Sequence, residues 1–269
     1  MPIVRLLNIW YTLLLSVVIR ISVSVSSLCV LVLHRIVPDK ADEWADVKLN
    51  TFVELLETLY RKQKIVTRID NQQNNLDKIC LSFDDGHASD FELVLPLLLK
   101  YNMKATFFIT PHLIGREGHL SWNQVRMLND AGMEIGSHSL SHPYLTTVSD
   151  QQLFTELKQS KVQIEQNIGK EIKSFAYPFG DYSHRTNALA KLVGYEYICT
   201  SKPGLFKAGG QIVKRNSVHS NTRNQDMFLL LNQDKYHLFR AQLRYSILYG
   251  LKRILGIKNY IKLKQFLYL

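Results

Sequence analysis

The chain has 269 residues, of which 46% are hydrophobic and 21% are charged, and its formal net charge is +10. This length can bury a substantial core, and we expect one large α/β domain with extensions rather than two small domains. The basic charge is concentrated in the tail (residues 235–269), which holds eight Lys or Arg and no Asp or Glu; the first 234 residues keep 25 basic and 23 acidic residues. A nearly neutral body argues against a nucleic-acid partner.

The three cysteines are widely spaced. Cys29, Cys80 and Cys199 each lie inside an apolar, strand-like run. This spacing is neither a disulfide framework nor a Cys-x-x-Cys metal site. We expect three small buried residues.

An apolar segment precedes the first strand. Residues 6–19 match the length of a signal-peptide core and fall short of the roughly 20 residues that a spanning helix needs. Trp10 and Tyr11 suit the headgroup depth of a bilayer, and the small residues 22–27 resemble a cleavage region. We predict membrane targeting or anchoring by residues 1–26; the alternative is an amphipathic helix that covers the open end of the fold.

Strand and helix signals alternate along the body of the chain. Residues 28–33 form a continuous apolar run that ends at His34, as in a strand buried on both faces. A helix follows, with Thr51 as its N-cap and Glu54 as its capping-box partner. Further strands are predicted at 65–69, 79–83, 105–109, 133–137, 174–177, 195–200 and 212–218, and helices at 89–101, 121–131, 149–167 and 183–193. About seven strands in βα units favour a closed or nearly closed parallel barrel.

The tail has the pattern of a basic amphipathic helix. Apolar residues recur at helical spacing, with Lys and Arg between them: Phe239, Leu243, Ile247, Leu251, Ile254 and Leu255. Such a helix lies on an anionic membrane surface or packs on the barrel with a solvated basic face. The absence of acidic residues favours the membrane.

Polar residues follow the predicted strand ends, which meet on one face of an α/β barrel. Asp84 and Asp85 follow one strand, and His138 and His142 follow another. An Asp-Asp-Gly turn alone merely ends a strand, and a His-x-x-x-His pair alone is weak evidence. Together they offer two imidazoles and one carboxylate for a metal ion, with positions left open for water and substrate.

The adjacent aspartates suggest two roles. Successive side chains of an extended chain point to opposite faces, so Asp84 and Asp85 are expected to diverge. One carboxylate binds the metal while the other accepts a proton from the attacking water, and Gly86 allows the sharp turn that follows. A non-haem iron oxygenase uses the same ligand set, but it does not need the second carboxylate.

Three ordered motifs carry a resemblance to a known family. The segments 81–86 (LSFDDG), 137–143 (SHSLSHP) and 175–180 (FAYPFG) resemble those of the polysaccharide deacetylases, the NodB-type group of carbohydrate esterase family four. The resemblance runs from about 30 to 218, and we expect the deacetylase domain to span 27–234. It implies an α/β fold, a distorted (β/α) barrel of about seven parallel strands with N- and C-terminal helical extensions.

The resemblance also implies an activity. Members remove N-acetyl groups from amino sugars of a glycan with one divalent metal ion, usually zinc, with Co2+ or Ni2+ as alternatives. By position, Asp85, His138 and His142 match the metal ligands, and Asp84 matches the catalytic base. Such an enzyme is expected at the bacterial cell envelope, associated with a membrane surface through residues 6–19, residues 236–269, or both.

Two positions depart from the common pattern of this family. The late Leu-x-His motif that supplies the general acid is not evident, but the segment around His34 looks like that of the poly-N-acetylglucosamine branch, where an early histidine takes this role. We assign the acid to His34, with His219 as the alternative. Ala176 stands where many members have an arginine that pairs with the base, and Arg35 or Arg215 are the candidates to replace it.

The third motif is expected to contact the substrate. The resemblance places Tyr177, Pro178 and Phe179 there, and the backbone N–H of Phe179 is the expected donor to the oxyanion. The missing arginine leaves a second interpretation, a catalytically silent glycan-binding protein of the same fold.

Overall fold

A computed structural model describes residues 27–70, 78–207 and 209–268. Twelve strands lie in the described residues: β1 (Ser27–Leu33), β2 (Ile36–Val37), β3 (Val47–Lys48), β4 (Ile65–Thr67), β5 (Lys78–Phe83), β6 (Ala105–Ile109), β7 (Glu134–Ser137), β8 (Ser174–Ala176), β9 (Tyr197–Thr200), β10 (Leu205–Lys207), β11 (Ile212–Lys214) and β12 (Asn216–Ser217). The α-helices are α1 (Leu49–Arg61), α2 (Leu95–Lys100), α3 (Trp122–Asp130), α4 (Asp150–Ile168), α5 (His184–Leu192), α6 (Asn224–Leu231) and α7 (Lys235–Tyr268). The predictions for residues 6–19 and for most of 22–27 lie outside this description.

The main sheet is a nearly closed barrel, as predicted. Strands β1, β5, β6, β7, β8 and β9 are parallel neighbours in that order. Strand β11 pairs with β9 and β12 pairs with β1, both in parallel, so the segment 212–217 connects the two ends of the sheet. The single strand predicted at 212–218 is therefore two strands, interrupted at Arg215.

Several boundaries differ from the predictions. Helix α1 begins at Leu49 with Lys48 as N-cap, so the predicted cap at Thr51 is wrong; strand β3 extends to Lys48 and the chain turns into the helix at once. The predicted helix 89–101 is a π-helical turn (Asp90–Val94) followed by α2. Pro96 has no N–H to donate and disfavours a regular α-helical turn there. Strand β10, antiparallel to β1, and helix α6 were not predicted.

Two apolar clusters form the core. The larger packs the outer face of the sheet against the helices, and includes Leu31, Leu81 and Phe107. The smaller fills the barrel interior with residues that alternate with those: Leu28, Val30, Ile69, Cys80, Phe108, Ala176, Cys199, Phe206 and Val213. All three cysteines are buried and free, as predicted.

The tail is helical, in agreement with its pattern. Helix α7 has a non-helical backbone at Gly256 (φ 74°, ψ 163°), which breaks it into two parts. Within the described residues, no helix combines the length and the hydropathy needed to cross a bilayer.

The close packing around β7 gives a test of the fold. A Cβ atom on Gly136 would lie 2.6 Å from Phe108 Cε1 and 2.9 Å from the backbone oxygen of Ser174. Gly136→Ala should therefore lower the free energy of unfolding by about 1–3 kcal/mol, measured by urea denaturation.

Gly250→Ala is the matched control. Apart from its chain neighbours and the nearby backbone of helix α7 itself, no described atom lies within 4 Å of its added Cβ. This substitution should raise the free energy of unfolding by about 0.5–1 kcal/mol, since alanine loses less backbone entropy in a helix. Wild-type stability in Gly136→Ala would contradict the packing described here.

Candidate metal and catalytic site

The carboxyl ends of the barrel strands bring the predicted residues together. Asp84 and Asp85 follow β5, and His138 and His142 follow β7. Asp85 Oδ1 lies 3.1 Å from His142 Nε2 and 3.4 Å from His138 Nε2, and one ligand atom from each residue lies within 4.8 Å of the others. The structure thus brings Asp85, His138 and His142 together at this end of the barrel.

The donor set fits a divalent cation. Asp85 Oδ1 is buried and accepts no well-aligned hydrogen bond from the described residues. Burial raises the pKa of Asp85, but His142, His87 and the charges of nearby histidines outweigh it and hold that pKa well below its usual range. An ionised, buried and underbonded carboxylate oxygen between two imidazoles is what a metal ligand requires.

His138 is oriented by the backbone of the third motif. Its Nδ1 lies 2.8 Å from the carbonyl oxygen of Ala176, which can only accept, so Nδ1 carries the proton. The lone pair of Nε2 therefore faces Asp85. Burial lowers the pKa of His138 to about 4, against the opposing effect of the two aspartates, so the ring is neutral at pH 7. A neutral imidazole held by a carbonyl is the usual arrangement of a metal-binding histidine.

The loop that carries His142 is held by a residue that the sequence analysis missed. Glu156 of α4 accepts hydrogen bonds from the backbone N–H groups of Leu140 and Ser141 (2.9 Å each) and from the Ser141 hydroxyl (2.5 Å). Only 5% of Glu156 is exposed. The sequence could have indicated this role, because Glu156 is a charged residue on the same face of α4 as the apolar Leu153 and Leu157.

The site backbone is strained at several points. Asp85, Ser139, His142 and Phe179 have φ values of 76°, 64°, 65° and 58°, in the left-handed region that non-glycine residues rarely adopt. The predicted cause for the divergence of the two aspartates is therefore wrong. β5 ends before them, and the left-handed turn at Asp85, followed by Gly86 at φ 72°, directs the second carboxylate toward the histidines.

Asp84 forms a buried, bidentate ion pair with Arg215. The guanidinium Nη1 and Nη2 atoms donate to Oδ1 at 2.7 Å and Oδ2 at 2.8 Å. Arg215 is completely buried, and it also donates to the Ser82 hydroxyl and the Thr200 carbonyl, both at 3.3 Å. Its guanidinium carbon lies 5.2 Å from the centre of the Phe108 ring.

This pair settles which arginine lies beside Asp84. Arg35 pairs instead with Asp46, at 2.8 and 2.9 Å, so Arg215 is the candidate that stands in for the residue missing at Ala176. Burial raises the pKa of Asp84, but the charge of Arg215 and smaller contributions from His138 and His34 leave it below its usual value. Asp84 Oδ2 lies 3.8 Å from His138 Nε2, beside the ligand cluster.

The two candidate acids have different surroundings. His34 lies close enough to Asp84 and Asp85 for its charge to lower the pKa of both, and its buried Nδ1 has no hydrogen-bond partner among the described residues. His219 stacks on Trp44, with ring centres 4.5 Å apart. Of the two candidates, His34 is therefore the one beside the aspartates.

Of the third motif, only Phe179 lines the site with its side chain. Phe179 is 54% exposed, and its ring lies 4.6 Å from that of His142, centre to centre. Pro178 is buried, and Tyr177 is 1% exposed with its hydroxyl donating to Asn187 Oδ1 at 2.8 Å. The Tyr177 ring, just after strand β8, therefore lies in the core and not on the surface of the site.

The buried pair gives a test of the site. Arg215→Met leaves Asp84 as a buried charge without its partner, so the free energy of unfolding should fall by about 3–5 kcal/mol. The double variant Arg215→Met/Asp84→Leu should be more stable than Arg215→Met alone, since no unpaired charge remains. Urea denaturation at pH 7 measures both.

Arg223→Met is the control for this test. Arg223 pairs with Asp226 at 2.8 Å on the surface, where such pairs contribute little. Equal stability of Arg215→Met and Arg223→Met would contradict a structural role of the buried pair.

Comparison with known sequences supports the resemblance. The sequence profile of the polysaccharide deacetylase family matches residues 71–198. Peptidoglycan-N-acetylmuramic acid deacetylase PdaA of Bacillus subtilis is 30% identical over 122 residues, which is 45% of each chain. The chain spans about half the length of the curated relatives it matches.

Solved structures share the fold. Deacetylase PplD of Streptococcus pyogenes, determined in complex with acetate, superposes with a TM-score of 0.70 at 22% identity, covering 76% of this chain and 98% of that chain. IcaB of Ammonifex degensii gives a TM-score of 0.67 at 19% identity, covering 81% and 97%. Residues 71–198 therefore match a polysaccharide deacetylase domain, and the chain shares its fold with solved deacetylase structures.

Proposed function

We propose that this protein is a metal-dependent N-deacetylase of a glycan, a hydrolase that acts on carbon–nitrogen bonds other than peptide bonds. The observation that carries the proposal is the cluster of Asp85, His138 and His142 beside the ion-paired Asp84, at the strand ends of a deacetylase fold. The two adjacent carboxylates thus have different partners, which suits different roles: Asp85 lies beside the histidines as a metal ligand, and Asp84 pairs with Arg215 as the base.

Asp85, His138 and His142 would hold one divalent ion, zinc before cobalt or nickel. When bound, such an ion polarises water and the substrate carbonyl and lowers the pKa of that water toward about 7. The neutral tautomer of His138, fixed by the Ala176 carbonyl, suits this role.

The remaining steps fall to residues of the chain. Asp84, kept ionised by Arg215, accepts a proton from the water that adds to the acetamide carbonyl. The N–H of Phe179 donates to the oxyanion. His34 then donates a proton to the nitrogen as the C–N bond breaks, so that acetate and a free amine leave. His219 is the alternative acid.

The relatives suggest the class of substrate. Their names include deacetylases of peptidoglycan N-acetylmuramic acid and N-acetylglucosamine. We infer an N-acetylated glycan of the bacterial cell envelope as substrate, with contact to a membrane surface through residues 6–19, residues 236–269, or both. The catalytically silent binding protein is the alternative; against it stands the pairing of Arg215 with Asp84, which gives the proposed base an arginine partner although residue 176 is an alanine.

Acetate release is the test of this function. The zinc- or cobalt-loaded full chain should release acetate from N-acetylglucosamine oligomers or a cell-envelope glycan, measured by an enzyme-coupled acetate assay. Asp84→Asn removes the proton acceptor and should lower the rate by at least about 100-fold. Asp226→Asn, the same change at a surface carboxylate paired with Arg223, should leave the rate unchanged.

Variants of the two histidines separate the acid candidates in the same assay. His34→Ala should lose most of the rate and His219→Ala little, and the reverse result would move the acid to His219. Metal-loaded chain that binds glycan equally well with and without Asp84→Asn, yet releases no acetate from any glycan tested, would overturn the proposal in favour of the binding protein.

A further inference from the structure

Helix α7 exposes an apolar stripe. Its residues are spaced three, four, four and seven positions apart, so they share one side of the helix. Each is between 51% and 81% exposed: Tyr236, Phe239, Leu243, Ile247 and Ile254. An exposed apolar row of this length marks a surface that is covered by a partner.

Basic residues flank the stripe on both edges. Arg240 and Arg244 lie along one edge, and Lys235 and Arg253 along the other, all exposed. No Asp or Glu occurs in residues 235–269. This charge complements an anionic lipid surface, and it opposes a second copy of the same face, which would bring like charges together.

The opposite face of α7 packs on the body of the protein. Leu238 is buried in the main core. Tyr245 stacks on Tyr249, and Tyr249 on Tyr182, with ring centres 5.9 and 6.4 Å apart. Tyr182 in turn stacks on Tyr177, a residue of the third motif, at 5.7 Å.

One contact of this packed face reaches the catalytic site. Lys252 Nζ donates to Asp181 Oδ1 at 2.5 Å, at the end of the turn that carries Phe179, and lies 5.4 Å from the centre of the Tyr144 ring. Tyr144 stacks on Phe179 at 4.1 Å, and Phe179 contacts His142 at 4.6 Å between ring centres. The rings of Tyr144 and Phe179 thus connect helix α7 to His142, a candidate metal ligand.

We propose that the stripe docks on an anionic bilayer and holds the catalytic site beside the lipid headgroups, where it acts on glycan carried at the membrane surface. The helix lies in the plane of the interface with its apolar side immersed. Since a helix with its side chains is about 10–12 Å across, the Phe179 turn lies about one helix diameter from that interface. The second part of this proposal, action on glycan at the membrane surface, is called the substrate half below, and it rests on the proposed function.

Vesicle sedimentation tests the docking. The full chain is mixed with sucrose-loaded vesicles of phosphatidylglycerol or of phosphatidylcholine. Binding should be at least about ten-fold tighter to phosphatidylglycerol and should weaken with added salt. Leu243→Gln/Ile247→Gln should weaken binding to phosphatidylglycerol by at least about ten-fold, because it removes apolar area from the interface. Residues 1–26 are the same in all chains, so the difference reports on α7.

Leu99→Gln/Leu192→Gln is the matched control. It makes the same change at leucines that are 51% and 76% exposed on α2 and α5, away from the stripe. It should bind vesicles as the wild type does. Undiminished binding of the stripe variant would overturn the docking. So would a wild-type dimer in sedimentation velocity that the stripe variant disperses without any change in vesicle binding, which would assign the stripe to a second copy.

Acetate release tests the substrate half. The stripe variant should match the wild type on soluble N-acetylglucosamine oligomers, but lose at least about ten-fold in rate on the same oligomer linked to a lipid in phosphatidylglycerol vesicles. Equal loss on both substrates, or none on the tethered one, would overturn this half. If no chain releases acetate from soluble substrate, the proposed function fails, while the vesicle result still decides the docking.

Discussion

The ion pair between Arg215 and Asp84 is the interaction on which the rest of the site depends. Two adjacent carboxylates at a buried strand end repel each other and lose their hydration, so neither is stable as a charge without compensation. Arg215 binds both oxygens of Asp84, at 2.7 and 2.8 Å. Asp85 is then left to the two histidines, with Oδ1 between His138 and His142.

Closure of the barrel supplies this arginine. The segment 212–217 pairs first with β9 and then with β1, and Arg215 lies at the break between the two pairings. Its side chain enters the barrel interior, where Ser82, Thr200 and Phe108 surround it. The contacts that close the sheet and the charge that stabilises Asp84 are therefore formed together. A barrel left open at this point would lose both.

The sequence predicted what depends on local pattern and strand order. Apolar runs located the central strands, and the carboxyl ends of parallel strands meet on one face, so Asp85, His138 and His142 were expected to converge. The supporting residues depend on tertiary contacts instead. Arg215 is 131 residues from Asp84, and no pattern showed that it, rather than Arg35, turns inward. The sequence also does not distinguish Glu156 from other helix carboxylates, because its role depends on contacts with the loop at residues 140–141.

In the proposed mechanism Asp85 binds the metal and Asp84 accepts the proton, and the zinc content of two variants tests that division most directly. Each chain is loaded with zinc, dialysed and assayed for bound metal. Asp84→Asn should keep about one zinc per chain, while Asp85→Asn should lose at least about ten-fold in zinc affinity because it removes a ligand. Equal loss in both variants, or loss only in Asp84→Asn, would contradict it.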